Sequence, residues 1–152
     1  VSMNYIDKIL LSDEKLIYRS HPHWIIFFRP VISLLLAICA FYWGLILMAD
    51  LAGLITLLSC LSALMVYYTS EFGITNQRVI IKLGFIRRYS FENALNRIEA
   101  VEVEQSILGR LLDYGTIRIR GVGGSAELFP AVPNPLLFRH KVQTQIERQR
   151  TI

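Results

Sequence analysis

The chain has 152 residues, of which 53% are hydrophobic and only 18% charged, and its net charge is +4. A soluble domain carries about a quarter charged residues, and here the deficit is confined to one block, since Asp50 is the single charge between Pro30 and Ser70. An ordinary soluble globule is thereby excluded. A secreted disulfide scaffold is excluded too, because the only cysteines, Cys39 and Cys60, both lie inside the block and fit a reducing compartment as small packing residues.

At the start, Val1-Ser2 before Met3 reads as a remnant of expression. No signal peptide is expected, because the apolar block begins near residue 30, is too long and offers no small-residue cleavage site. Residues 1–28 read as a cytoplasmic N-terminal segment with interfacial residues, in which Lys15 to Tyr18 is strand-like and could join a later sheet.

Residues 29–70 read as a transmembrane helical hairpin. Pro30 to Ala49 and Leu51 to Ser70 are each free of charge. At about 1.5 Å per residue, twenty residues cross a hydrocarbon core of about 30 Å. A carboxylate in mid-membrane costs about 2.5–3.5 kcal/mol. Asp50 is therefore expected at the tip, with Asp50-Leu51-Ala52-Gly53 supplying the turn. Lys8, Lys15, Arg19 and Arg29 precede the hairpin, every other Lys and Arg follows it, and none lies at the tip. The positive-inside rule then puts both termini in the cytoplasm. Trp24, Phe27 and Phe28 on one side, and Tyr67 and Tyr68 on the other, read as interfacial aromatics, with Trp24, Arg29, Tyr67 and Tyr68 as anchors. Ala37, Gly44, Gly53, Ser59, Ser62 and Ala63 permit close helix contact.

Beyond the hairpin, residues 71–152 read as a cytoplasmic β-rich domain. Strands are expected over Glu71 to Thr75, Arg78 to Leu83, Ile86 to Phe91, Ile98 to Glu104, Thr116 to Arg120 and Ala126 to Val132. Asn76-Gln77 and Gly121-Val122-Gly123-Gly124 are turns, and a phase slip near Ala100-Val101 predicts a bulge. Ser106 to Leu112 has the look of a short helix. A last helix opens at Asn134-Pro135. Its stripe of Phe138, Val142 and Ile146 should pack on Val79, Ile117 and Ile119. The fold class is thus an α+β membrane protein: a two-helix hairpin plus an antiparallel sheet or partial barrel capped by a C-terminal helix.

Several runs together resemble a known family. Glu71-Phe72-Gly73-Ile74-Thr75-Asn76-Gln77-Arg78-Val79-Ile80, Leu83-Gly84, Ile98-Glu99-Ala100-Val101 and Leu108-Gly109-Arg110-Leu111-Leu112-Asp113-Tyr114-Gly115-Thr116 are similar to the bacterial pleckstrin-homology (PH) domain of YdbS-like membrane proteins. The stretch from Asp13-Glu14-Lys15 to His23-Trp24 resembles that family's segment before its paired transmembrane helices. The resemblance implies a PH-like β-barrel capped by the C-terminal helix, and no particular ligand.

No catalytic, cofactor or metal constellation emerges. Gly121 to Ser125 lacks the lysine and the helix of a phosphate loop. His21, His23 and His140 are scattered, without cysteine or clustered carboxylates, and the first two are expected in the headgroup zone. Glu99, Glu102 and Glu104 have no His or Lys partner in their segment. Nucleic acid is a poor fit, because the cations form no run and Phe85, Tyr89, Phe91 and Tyr114 alternate like core residues. Lys82, Arg87 and Arg88 lie where the resemblance puts the headgroup-binding hairpin of PH domains, and with Arg118 and Arg120 they are candidates for contact with anionic lipid. Arg118 and Arg120 could instead pair across strands with Glu102 and Glu104. The expected function is a non-enzymatic, membrane-anchored interaction or scaffold module at the bacterial inner membrane, binding a protein partner or its own copies. The alternative is sensing of anionic headgroups.

Overall fold

The computed structural model describes residues 5–84 and 89–151. Among the described residues, seven strands form two antiparallel sheets. The first holds β1 (Leu16–Ser20), β2 (Glu71–Thr75), β3 (Arg78–Leu83) and β4 (Tyr89–Ala94) in that order. The second holds β5 (Ile98–Glu104), β6 (Tyr114–Gly121) and β7 (Ala126–Pro133). The helices are α1 (Tyr5–Ile9), α2 (Phe28–Tyr42), α3 (Ile46–Thr69), α4 (Ile107–Leu112) and α5 (Pro135–Thr151), with a 3₁₀ turn at Trp24–Phe27 leading into α2.

The core lies between the sheets and beneath α5. Phe72, Ile74, Val79 and Ile81 meet Val101, Ile117, Ile119 and Phe129, and Phe138 and Val142 complete the cluster with Ile146 at its margin. The stripe read from the sequence on α5 is therefore the face that packs. The third expected strand is only partly described: β4 runs from Tyr89 to Ala94, and residues 86–88 lie outside the described residues. The bulge falls between Ile98 and Ala100, one step earlier than the phase slip suggested. Asn134 has φ of +46°, and its carbonyl accepts from the Phe138 N–H at 3.0 Å, opening α5 behind Pro135.

Helices α2 and α3 are each part of an apolar stretch long enough to cross a membrane. They pack on one another through the buried Ala37, Ala49 and Ala63, and the Thr56 hydroxyl meets the Ser33 hydroxyl at 3.0 Å. Outside that contact their large side chains are exposed. The tip is not at Asp50. Helix α2 ends in a Schellman turn, in which Gly44 has φ of +74°, its N–H donates to Phe41 O and the Leu45 N–H donates to Ala40 O, both at 3.0 Å. Only a glycine adopts that φ without strain. Asp50 therefore sits one turn inside α3, and Gly53 is an ordinary helical residue.

Strand β1 pairs with β2 with Ser20 opposite Phe72, so the whole hairpin is the loop between two paired strands. Ser70 caps α3 and β2 begins at Glu71, leaving no linker. The polar segment before β1 also contains α1, of which the sequence gives no sign. Its Ile6 is fully buried and lies against Gly73, where an added Cβ would come within 2.6 Å of Ile6 Cδ1.

The Thr75-Asn76-Gln77-Arg78 turn is the hub of this docking. The Arg78 guanidinium donates to Glu14 through Nε at 3.0 Å and Nη2 at 2.9 Å, to Glu92 at 2.8 Å and to the Ile9 carbonyl at 2.8 Å. Thr75 donates to Glu14 Oε1 at 2.6 Å, and the Leu11 N–H donates to Oε2 at 3.2 Å. Asn76 exchanges bonds with the Lys15 backbone, and its carbonyl accepts from Gln149 of α5 at 2.8 Å. One turn thus ties the N-terminal segment, the first sheet and the last helix.

The Leu108-Gly109-Arg110-Leu111-Leu112-Asp113-Tyr114-Gly115 run has an equally physical basis. Ser106 caps α4 by accepting from the Gly109 N–H at 3.0 Å, and Asp113 ends it at φ of +59°. A Cβ on Gly109 would come within 2.7 Å of the Tyr114 carbonyl oxygen, and one on Gly115 within 2.7 Å of the Glu104 carbonyl oxygen. Backbone cannot yield there as a side chain can. Gly109→Ala is expected to cost about 1–3 kcal/mol, read as a lowered melting temperature of the full chain in detergent. Gly53→Ala, with no neighbour within 4 Å, is the control and should leave stability unchanged or slightly raised.

Candidate functional site

Strand β5 ends its sheet, so its outer edge has no strand partner among the described residues. Such an edge presents unpaired N–H and C=O groups. Helix α5 crosses the sheet beside that edge and leaves a cleft of about 520 Å³ lined by Leu95, Asn96, Ile98, Ile146, Gln149 and Arg150. A further hollow of about 260 Å³ continues along Glu99, Ala100, Gln143 and Glu147. The bulge sits on this stretch. Ile98 pairs with Gly121 and Ala100 with Arg120, so Glu99 is left without a register partner, exposed at the rim. The groove combines a strand edge, an apolar floor of Ile98 and Ile146, and charges of both signs.

The groove opens away from the hairpin. Strand β6 starts at Tyr114, whose ring stacks on His23 at 5.2 Å, and the His23 N–H donates to the Ala131 carbonyl at 2.7 Å. These contacts fix one end of the second sheet to the hairpin base. Eight residues of β6 carry the chain about 26 Å to the opposite end. Because β5 is antiparallel to β6, Ile98 and Leu95 lie at that distal end, as does the close of α5.

At the hairpin base two adjoining cavities of about 290 and 390 Å³ share Ile26, Val66, Pro130 and Ala131, and the larger reaches Arg29, Ser59 and Ser62. Arg29 is exposed and makes no ion pair among the described residues.

A family model for the bacterial PH domain matches residues 25–149, through the hairpin, strands β2 to β7 and nearly all of α5. The chain belongs to the bacterial PH-domain family. No curated protein matches it.

In this bacterial PH domain Lys82, Arg118 and Arg120, the cations singled out from the sequence that lie among the described residues, each have a partner of their own. Arg118 reaches Glu102 at 3.3 Å and Glu104 at 3.0 Å, and Arg120 reaches Glu102 at 3.2 Å. Both are thus paired across β5 and β6, as the strand alternation allowed. Lys82 lies over the Tyr5 ring at 4.4 Å from its centroid, a cation–π contact with α1. Arg87 and Arg88 lie outside the described residues. The aromatics expected at an interface do cluster at the hairpin base. Tyr67 packs on Phe27 at 5.8 Å and edge-on to Tyr68 at 5.5 Å, while Trp24 and Tyr68 remain exposed.

His23 departs from expectation. It is buried in protein, not displayed toward headgroups. Burial pushes its imidazole below the usual histidine range, against the Leu112 carbonyl and the Asp113 charge that push it up. Its Nδ1 accepts from the Ile25 N–H at 3.2 Å, so the neutral ring acts as a joint between the hairpin and the second sheet. Sequence reasoning missed the β5–α5 groove, because the edge strand ends at Glu104, the neighbouring helix begins only at Pro135, and the two share no local motif. The only signal was the phase slip near Ala100.

Proposed function

We propose that this PH-family protein is a membrane-anchored interaction module without catalytic activity. Helices α2 and α3 span the bacterial cytoplasmic membrane, and the β-domain takes up an extended segment of a protein partner along the edge of β5. The open β5 edge beside α5 carries this reading. Strand addition to an exposed edge supplies main-chain hydrogen bonds, and a neighbouring groove supplies side-chain selectivity. The paired state of Arg118 and Arg120 argues against headgroup recognition on the second sheet. The partner is another membrane protein or a second copy, held in a fixed orientation that raises its effective concentration.

A photo-crosslinker in place of Glu99, in the full chain in cells, should give a defined protein adduct, and one in place of Val122 should not. A Glu99 variant that yields no adduct, from a protein monomeric and alone in mild detergent, would sink the proposal.

The anchoring has its own check. Both termini face the cytoplasm in this reading, and the Schellman turn faces outward. Trp43→Cys, in a background where Cys39 and Cys60 are serine, should react with an impermeant thiol reagent on whole cells. A cysteine appended after Ile152 should not. The reverse pattern overturns the orientation.

Recognition of an anionic headgroup remains the second reading, favoured by one observation: Arg29, without an acidic partner among the described residues, lines the cavity at the hairpin base.

A further inference from the structure

Helix α4 exposes an apolar face that the interior of the domain does not use. Of its six residues only Gly109 is buried. Ile107 is 87% exposed, Leu108 57% and Leu111 79%. The helix is capped at both ends, by the Ser106 hydroxyl and by Asp113 in the left-handed region, so this exposure belongs to a formed element. Leu136 and Leu137, in the first turn of α5, are exposed as well. They are brought alongside by the Asn134 N–H, which donates to the Asp113 carbonyl at 3.0 Å. Scattered surface leucines are ordinary, but a contiguous aliphatic patch marks a surface that meets something apolar.

Its position says what that is. Tyr114, two residues past α4, stacks on the ring of the buried His23. The next residue is the exposed Trp24, whose 3₁₀ turn leads into α2. The apolar patch is thus continuous with the base of the hairpin. It lies at the opposite end of β6 from the exposed Val122. The one charge within α4 is Arg110, a cation at the end of the helix. Asp113 ends the helix, and its charge acts on the His23 imidazole. Aliphatic side chains with a basic residue at their margin are the chemistry of a segment that lies in the headgroup–acyl boundary.

We propose that α4 is a membrane wedge: Ile107, Leu108 and Leu111 insert into the bilayer interface beside the hairpin, with Leu136 and Leu137 flanking them, and press the PH domain onto the membrane surface. This inference rests on α2 and α3 spanning the bilayer. The wedge gives the domain a third point of attachment besides β1 and β2, and it holds the β5–α5 groove pointing away from the lipid.

The test uses the full chain with Cys39 and Cys60 replaced by serine, reconstituted in vesicles of phosphatidylcholine and phosphatidylglycerol. Nitroxide labels are placed singly at Leu111→Cys, Leu58→Cys in the middle of α3 and Val122→Cys. Collision with oxygen, which partitions into lipid, is compared with collision with a water-soluble nickel chelate. The oxygen-to-nickel ratio at Leu111 should exceed that at Val122 several-fold and approach that at Leu58. A lipid-like Leu58 with a Leu111 that matches Val122, or that is shielded from both reagents as in a protein contact, overturns the wedge and leaves the spans standing. A water-like ratio at Leu58 removes the spans, and the wedge with them.

Discussion

Arg78→Ala is expected to unfold the β-domain at a cost of about 3–5 kcal/mol, because it strips the counter-charge from a buried carboxylate. The Glu14 side chain is 0% exposed and receives two of the guanidinium's bonds. With Arg78 gone, Glu14 keeps only the Thr75 hydroxyl and the Leu11 N–H. The same loss frees Glu92 and the Ile9 carbonyl, so the N-terminal segment loses its hold on β3. For a domain of this size the expected fall in melting temperature exceeds about 10 °C. Arg78→Lys should rescue little, since one ammonium cannot serve Glu14 twice and also reach Glu92 and Ile9.

The pH dependence of that loss has a definite sign. Burial pushes the Glu14 carboxyl up, but bonds from Arg78, Thr75 and the Leu11 N–H, with the charge of Arg78, outweigh it and hold the group below its ordinary value. A depressed folded value contributes stability that is fully present above the unfolded value, about 4.3, and is lost as pH falls through the folded one. Without Arg78 the burial acts with little opposition, and the folded state favours the neutral acid. The stability gap between wild type and Arg78→Ala should therefore be widest near pH 7 and narrow towards pH 4. Thermal unfolding of the full chain in detergent at several pH values reads it. A gap that is constant with pH would show that Glu14 is not the group left stranded.

Val142→Asp is expected to cost at least about 3 kcal/mol, by burying a charge with no partner. Val142 is fully buried in the cluster with Ile98, Val101, Ile117 and Phe138. Its neighbour Gln143 is exposed, and Gln143→Asp should change stability by no more than about 0.5 kcal/mol. The pair shares one helix and one substituted residue type, so helix propensity cancels. Equal melting temperatures for the two variants would mean that α5 does not close the core.

How much of this was legible follows from the range of the forces involved. Glu71–Thr75, Arg78–Leu83 and Ile98–Glu104 are strands over the very residues that alternation and turn chemistry pick out. The stripe on α5 is legible because helical periodicity exposes the packing face before the partner is known. The hairpin was legible as a pair of apolar helices, but its turn was not. Both Gly44 and Gly53 interrupt apolar sequence, and the charge at Asp50 drew the tip toward it. What decides is a pair of hydrogen bonds onto Ala40 and Phe41, which exist only once α2 has ended. Helix α1 is five residues long, too short for a period to register.

The sequence by itself determined the two apolar helices, the class and order of the elements that follow them, the burial of Val79, Ile117 and Ile119, the packing face of α5, and the family, because those depend on spacings of a few residues. The tertiary structure alone decided which charges are neutralised. Arg78 finds Glu14 across 64 residues, Lys82 finds Tyr5, and Arg118 and Arg120 find Glu102 and Glu104, so cations that look free along the chain are engaged in space. It also decided that the hairpin is the loop between β1 and β2, that β5 is an edge, and that α4 stands at the hairpin base. Each of these depends on pairing between segments far apart in the chain, and a local pattern specifies what a segment can bury but not which distant segment covers it.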